Sequence, residues 1–74
     1  MDLAQRVRSQ RKALDLSQEA LARRADVSLN VINRLERGAI TDPHVTTLSA
    51  VADALGISVG GLLGEEARPL AGTR

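Results

Sequence analysis

The sequence predicts an all-α fold, a compact bundle of five short helices in one domain. The chain has 74 residues, enough for a single small domain. It contains no Phe, Tyr, Trp or Cys, so the core must be built from Leu, Ile, Val and Ala, without a disulfide or a thiolate metal site. Such small side chains fill space efficiently only between closely approaching helices, which favours a helical bundle.

The first helix is predicted to run from about Asp2 to Leu14. Arg11 lies on the same side of this helix as its apolar stripe. Asp15 follows at a position where many helices end in a left-handed residue, and aspartate is one of the few alternatives to glycine there. The apolar stripe consists of Leu3, Val7 and Leu14.

A second helix is predicted to begin after Ser17, a suitable N-cap, and to run to about Arg24. Asp26 and Val27 form a tight turn into the next helix. The apolar positions of the second helix are Leu21, Ala22 and Ala25.

The third helix is predicted to be capped by Ser28 and to end near Arg37, with Gly38 as the stop. It has an apolar side and a polar side. Its apolar side carries Val31, Ile32 and Leu35, and its polar side carries Asn30, Asn33, Arg34 and Arg37. A short helix held by an apolar back, with amide and guanidinium groups in front, suits insertion into the major groove of DNA.

A loop from Ala39 to His44, interrupted by Pro43, leads to a fourth helix. This helix is predicted over about Val45 to Leu55 and is ended by Gly56. Apolar residues recur along it at the spacing of one helical face. They are Leu48, Val51, Ala52 and Leu55.

Ser58 is predicted to cap a last short helix that reaches Leu63, although Gly60 and Gly61 weaken it by about 1 kcal/mol each relative to alanine. Several apolar residues near this end either close the core or are shared with a second subunit. They are Ile40, Val59, Leu62 and Leu63. We expect residues 1–64 to form the domain and residues 65–74 to be a flexible tail.

The charge of the chain is unevenly distributed, although the formal net charge is only +1. Between Arg6 and Arg37, eight basic residues stand against four acidic ones, whereas the rest of the chain has two basic and five acidic residues. A polyanion meets this local positive potential rather than the total charge. Solvated helix faces would explain an excess of this size almost equally well.

Composition and motifs argue against several other classes of function. No apolar run approaches the roughly 20 residues that span a bilayer, and the N-terminal segment has no signal-peptide core, so we expect a cytoplasmic protein. Enzymes and metal or cofactor sites are disfavoured, because there is no thiol, only His44 as histidine, no nucleophile elbow and no phosphate-binding glycine loop after a strand. Modules for RNA or single-stranded DNA usually stack bases on aromatic side chains, so duplex DNA is the better ligand.

Three segments of the chain carry a family likeness: RSQRKALDLSQEALARRADVS, VINRLERG and DPHVTTLSAVADALGIS. In this order and register, over about Leu3 to Leu63, the chain resembles the helix-turn-helix domain of phage repressor and Cro-type regulators, the xenobiotic-response-element-like group. The resemblance implies the lambda-repressor-like five-helix fold. It also implies that the third helix is the recognition helix.

The resemblance further implies roles for individual residues. Arg11 and Glu36 match a partly buried ion pair that ties the first helix to the third, with the arginine also close to a DNA phosphate. Gln18 matches a glutamine that contacts the DNA backbone and steadies the recognition helix. The residues matching base-facing positions are Leu29, Asn30, Asn33 and Arg34. Those matching phosphate-contacting positions are Ser17, Gln18, Arg11, Arg37 and Ser28.

The chemistry of the base-facing group is compatible with that role. Asn can pair with adenine, Arg with guanine, and Leu can pack on the methyl group of thymine. The alternative interpretation of Asn30, Asn33 and Arg34 is ordinary exposed polar residues on a surface helix. Leu29 fits equally well as a partly buried residue at the start of the helix.

The chain also departs from the family pattern. Asp26 replaces the usual glycine of the turn. The loop before Pro43 has no Lys or Arg, and His44 after it is the nearest basic residue, so contacts to the DNA backbone from that side should be weaker. The last helix lacks the bulky aromatic residue that helps many relatives to dimerise.

Together these observations predict a sequence-specific DNA-binding transcriptional regulator that acts as a homodimer on an inverted-repeat operator. The alternative is a protein-interaction module of the same fold, an antitoxin or the partner of another regulator, with little DNA binding of its own.

Overall fold

The computed structural model describes residues 2–40 and 42–64. Within these ranges the chain forms five α-helices, and the predicted all-α bundle is confirmed. The helices are α1 (Leu3–Ala13), α2 (Gln18–Ala25), α3 (Leu29–Glu36), α4 (Val45–Leu55) and α5 (Val59–Leu62). No helix in the described part of the chain is long and apolar enough to cross a membrane. The tail predicted for residues 65–74 lies outside the described residues.

Four of the five helices begin at a short polar side chain whose oxygen accepts a hydrogen bond from the first turn. This bond satisfies one of the amide groups that have no partner inside the helix. The capping pairs are Asp2 Oδ1 with Gln5 N (2.9 Å), Ser17 Oγ with Ala20 N (3.0 Å), Ser28 Oγ with Val31 N (3.1 Å) and Ser58 Oγ with Gly61 N (2.9 Å). His44 holds the same position before α4 but makes no side-chain cap.

Helices α1 to α4 end in the same way, with a left-handed residue one or two positions after the last helical residue. These residues are Asp15 (φ 59°), Asp26 (φ 58°), Gly38 (φ 76°) and Gly56 (φ 75°). In each case the next amide reaches back five residues to a carbonyl of the last turn, as in a Schellman motif. The bonds are Leu16 N to Arg11 O, Val27 N to Ala22 O, Ala39 N to Arg34 O and Ile57 N to Ala52 O, at 2.9–3.1 Å. The predicted ends of α1 to α4 are therefore confirmed.

The centre of the bundle receives a side chain from every helix. The largest fully buried residues are Val7 of α1, Leu21 of α2, Ile32 and Leu35 of α3, Val51 of α4 and Leu62 of α5. Helix α3 packs against both α1 and α2. The orientation of α3 is therefore set from two sides.

Leu14 does not lie on the buried stripe of α1, contrary to prediction, because 44% of its surface is exposed. The helix ends at Ala13, and the chain turns toward α2 before Leu14 could complete the helical period. At the other end of the molecule Leu62 is buried, and Ile40 and Val59 pack against the core, but Leu63 is 45% exposed.

Asp15 and Asp26 adopt a left-handed conformation, and replacing either with glycine should make the protein more stable. We expect Asp26→Gly to raise the free energy of unfolding by about 0.5–1 kcal/mol, because glycine adopts positive φ without the steric cost of a Cβ atom. Urea unfolding followed by circular dichroism measures this change in a chain without tryptophan.

The matched control is Asp53→Gly, which removes the same side chain from an exposed position inside α4, where φ is helical. There glycine should lower stability by a few tenths of a kcal/mol. A loss of stability in Asp26→Gly similar to that in Asp53→Gly would contradict the prediction.

Candidate nucleic-acid interface

The α2–α3 unit is held together by a short turn and by shared burial in the core. Asp26, in left-handed conformation, and Val27 reverse the chain, and Ser28 then caps α3. Behind the turn, both helices bury their apolar sides. The buried residues are Leu21, Ala22 and Ala25 on α2, and Ile32 and Leu35 on α3. The predicted apolar faces of the two helices are confirmed, except that Val31 is only partly buried.

The opposite side of α3 faces outward. Asn30, Arg34 and Arg37 are exposed, Leu29 is 43% exposed, and Asn33 is half-buried at the edge of this side. Four of the five residues are therefore accessible to a large ligand. Two of the five carry guanidinium groups and two carry amides, so the side offers hydrogen-bond donors and acceptors without a carboxylate.

The back of α3 contains Glu36, the one buried charged residue in the described part of the chain, with 3% of its surface exposed. Arg11 Nε donates to Glu36 Oε2 (2.6 Å), and Arg11 Nη2 donates to Glu36 Oε1 (2.9 Å). Gln18 Nε2 also donates to Oε1 (3.1 Å). The ion pair expected between Arg11 and Glu36 is present, in the two-point geometry that suits a guanidinium and a carboxylate.

Two further contacts extend this network to the main chain. Arg11 Nη1 donates to the carbonyl oxygen of Leu16 (2.7 Å), in the segment between α1 and α2. Arg8 Nη1 donates to the carbonyl oxygen of Glu36 (3.1 Å), in the last turn of α3. We refer to Arg8, Arg11, Gln18 and Glu36 as the clamp, because these residues connect α1, α2 and α3.

The clamp keeps the carboxyl group of Glu36 ionised. Burial by itself raises the pKa of Glu36, but hydrogen bonds from Arg11 and Gln18 and the charges of Arg11 and Arg8 outweigh that effect and lower the pKa below its ordinary value. The hydrogen bond to Glu36 raises the pKa of Arg11, and burial only partly opposes it. Both partners are therefore charged at neutral pH.

The residues predicted to contact phosphate fall into two groups. Ser17, Ser28 and Arg37 are exposed at helix ends. The Oγ atoms of the two serines accept capping bonds, which leaves each hydroxyl hydrogen able to donate outward. Arg11 and Gln18 are instead engaged with Glu36, and the side chain of Arg11 is only 12% exposed. The structure thus favours orientation of α3 as the main task of these two residues.

Sequence reasoning missed Arg8 as part of the site. Its spacing was a usable signal, because residues three apart on a helix lie on one face and Arg8 precedes Arg11 by three. Its partner, however, is a main-chain carbonyl, which the side-chain pattern does not reveal.

Comparison with known proteins assigns the chain to a protein family. Residues 7–62 match the family described as Helix-turn-helix. The chain belongs to this family. In this chain, α2 and α3 are the two helices joined by the turn, in agreement with the resemblance inferred from the sequence.

The chain is similar to the immunity repressor protein of Bacillus phage phi105, with 41% identity over 66 residues. These residues make up 89% of this chain but 45% of the repressor, so the chain spans less than half the length of that relative.

Among solved structures, the chain is similar to the P22 c2 repressor in complex with a synthetic operator, with 32% identity and a TM-score of 0.80. That match covers 88% of this chain and 97% of the other. It is also similar to SinR, a master regulator for biofilm formation, in complex with DNA, with 32% identity, a TM-score of 0.78 and coverage of 81% and 95%. A complex of SinR with the SinI protein matches with 31% identity and a TM-score of 0.81, covering 93% of this chain and 69% of that chain.

The charge state of Glu36 should make stability depend on pH in the acidic range. Because the folded-state pKa lies below the ordinary value of 4.5, the contribution of Glu36 is complete above the unfolded-state pKa and is lost as pH falls through the folded-state pKa. At neutral pH, Glu36→Gln should lower the free energy of unfolding by about 2–4 kcal/mol, because Arg11 loses its charged partner. Urea unfolding from neutral pH to below the unfolded-state pKa measures both effects.

Glu19→Gln is the matched control, since it neutralises an exposed glutamate on α2. It should leave the acid-induced loss of stability as steep as in the unchanged chain, whereas Glu36→Gln should flatten it. An equally steep loss in both variants would refute the role of Glu36.

Proposed function

We propose that this chain is a sequence-specific, double-stranded DNA-binding transcriptional regulator whose α3 helix enters the major groove. The division of α3 into two sides carries the proposal. Ile32, Leu35 and Glu36 are buried, whereas Asn30 and Arg34 are exposed one helical turn apart. A helix about 10–12 Å across with its side chains fits a major groove about 12 Å wide.

The base edges are read by the outward side of α3. Asn30 offers the amide pair that matches adenine, and Arg34 offers the two parallel donors that match O6 and N7 of guanine. Leu29 is exposed enough to pack on the methyl group of thymine, and Asn33 reaches bases from the edge of the same side. Each good two-point contact discriminates against a wrong base by about 1–3 kcal/mol.

The phosphate backbone is bound by groups at the helix ends. Ser17 and Ser28 donate their hydroxyl hydrogens, and Arg37 supplies a cation at the end of α3. These contacts carry no sequence information, but they set the register of α3 on the duplex. Gln18 and Arg11 act mainly by orienting α3 through their hydrogen bonds to Glu36. The remaining guanidinium donors of Arg11 lie close to the DNA backbone.

The similar proteins support DNA as the ligand. The P22 c2 repressor is similar over nearly all of its compared chain and is bound to an operator, and SinR is bound to DNA. The phi105 relative is an immunity repressor. These are properties of those proteins. For this chain, regulation of transcription is the proposal that they and the geometry of α3 jointly support.

We further propose that two copies bind one inverted-repeat operator. Two α3 helices would enter adjacent major grooves about 34–36 Å apart. Leu63 at the end of α5 is 45% exposed and is an apolar side chain that a second copy could cover. Burial of apolar surface is the usual source of affinity between subunits.

A protein-interaction module is the second candidate. Exposed apolar side chains also occur away from α3, at Leu14 (44%) and at Val45 (73%). A partner protein could cover them, and SinR provides the example of a similar protein in a complex with another protein. Under this alternative, the polar side of α3 would not determine binding.

Selection of binding sites from random duplexes tests the proposed function. We expect an enriched palindromic motif and an affinity that falls steeply with salt concentration. Asn30→Ala and Arg34→Ala should each relax base choice at a subset of positions in the motif, because each removes a reader of base edges.

Arg37→Ala serves as the comparison in the same experiment. It should weaken binding to all duplexes by a similar factor and leave the motif unchanged, because phosphate contacts are independent of sequence. Unaltered base choice in both Asn30→Ala and Arg34→Ala would overturn the assignment of α3 as the reading helix.

The proposed pairing of two copies is tested by light scattering, which suits a chain that lacks Trp and Tyr and absorbs weakly at long ultraviolet wavelengths. We expect the mass of the complex with the enriched duplex to correspond to two copies of the chain. Leu63→Glu should reduce this to one copy per duplex at the same concentration, because it places a charge in the proposed contact. A single bound copy in the unchanged chain would remove the dimer from the proposal.

A further inference from the structure

The last four carbonyl groups of α3 need hydrogen-bond donors from beyond the helix, because no further helical amides follow them. Three of them accept hydrogen bonds from the main-chain amides that follow. These are Asn33 O with Arg37 N (3.0 Å), Arg34 O with Ala39 N (2.9 Å) and Leu35 O with Gly38 N (3.2 Å). The fourth, the carbonyl oxygen of Glu36, accepts from Arg8 Nη1 (3.1 Å). Arg8 therefore completes the C-terminal cap of α3 from another helix.

We propose that Arg8 is a positioning residue of the DNA interface, which caps the end of α3 and limits small rotations of this helix about its axis. The inference rests on the proposed function, in which α3 reads base edges. It differs from a phosphate-contacting role, because the guanidinium of Arg8 is directed at the main chain of the protein itself.

Two contacts on Glu36 add to the apolar packing in restricting the rotation of α3. The carboxylate of Glu36 is held by Arg11 and Gln18, and its carbonyl oxygen is held by Arg8. Packing of Ile32 and Leu35 already restricts α3, and the second contact on Glu36 narrows the rotation that this packing still allows. Arg8 and Arg11 lie one turn apart on α1, and the fully buried Val7 anchors this part of α1 in the core.

Small rotations of α3 matter because base reading requires close geometry. With side-chain tips about 6 Å from the helix axis, a rotation of about 20° moves them by about 2 Å. Hydrogen bonds operate over a range of about 0.5 Å between donor and acceptor. The same displacement affects flexible contacts to phosphates much less, so loss of the cap should reduce discrimination between sequences more than affinity for DNA in general.

The position of Arg8 also suits its charge. A cation at the C-terminal end of a helix interacts favourably with the carbonyl dipoles there. Arg8 faces the carbonyl of Glu36 and contributes to the ionised state of its carboxylate. Because Arg8 donates to the main chain of α3 and lies near the negative charge of Glu36, it should release little counterion when DNA binds.

The test compares Arg8→Met, Arg8→Lys and Arg37→Met in binding to two duplexes, one with the enriched motif and one of equal length with the motif scrambled. Arg8→Met should lower the ratio of the two affinities by about tenfold, because it removes a charge-assisted hydrogen bond that orients α3. The salt slope, which is the slope of log affinity against log salt concentration, should on the scrambled duplex equal that of the unchanged chain. Arg37→Met should keep the ratio and lower the slope by about 1.

Arg8→Lys should recover the ratio to within about twofold, since a single donor to a carbonyl does not require the planar fork of a guanidinium. A salt slope reduced in Arg8→Met, or a ratio unchanged in it, would overturn the proposal.

Amide hydrogen exchange in the free protein tests the cap without DNA. In Arg8→Met the amides of Gly38 and Ala39 should exchange faster, while that of Val51 in α4 should not change, and Arg8→Lys should reverse the effect. Equal acceleration at all three amides would indicate general destabilisation and would refute the inference. If the unchanged chain binds no duplex, the proposed function fails, and the exchange data still decide whether Arg8 caps α3.

Discussion

The buried carboxylate of Glu36 is the constraint on which the arrangement of the first three helices depends. A charge with 3% exposure is costly unless it is paired and fully hydrogen-bonded, and here Arg11 and Gln18 supply the donors. Such a pair adds little stability over apolar residues of the same volume, but only one arrangement of α1, α2 and α3 satisfies it. Apolar contacts are non-directional, so in this core of Leu, Ile, Val and Ala the ion pair supplies a directional contact between the helices.

Helix boundaries could be predicted from the sequence because local chemistry determines them. Serine hydroxyls cap the starts of α2, α3 and α5, and aspartate or glycine in left-handed conformation ends α1 to α4. The burial of Leu14 was predicted wrongly for a related reason. The prediction extended the helical spacing of apolar residues past Ala13, where α1 ends. Beyond that point the spacing no longer tells which side chains share a face.

The candidate site was only partly predictable, because it combines a local pattern with contacts between helices. The outward side of α3 follows from the spacing of Ile32 and Leu35, which fixes where Asn30 and Arg34 must point. The direction of the Gln18 amide does not follow from spacing, since both a phosphate and Glu36 are chemically suitable partners. The contact of Arg8 with a carbonyl is similarly undetermined, because every residue has a carbonyl and only the packing of α1 on α3 selects one.

The clamp also bears on how strongly one copy of the chain can hold DNA. The charge of Arg11 is paired with Glu36, and Arg8 donates to the main chain of α3, so both should contribute little to the counterion release that dominates affinity for a duplex. The loop before α4 adds His44 but also the exposed Asp42. Binding by a single copy should therefore be weak. When two copies are joined, the second copy binds DNA in an intramolecular step, which raises the overall affinity by about 10²–10⁴ over that of one copy. A domain that uses arginines to orient the reading helix discriminates better between sequences but binds phosphates less tightly. Pairing of two copies on an inverted repeat restores the overall affinity.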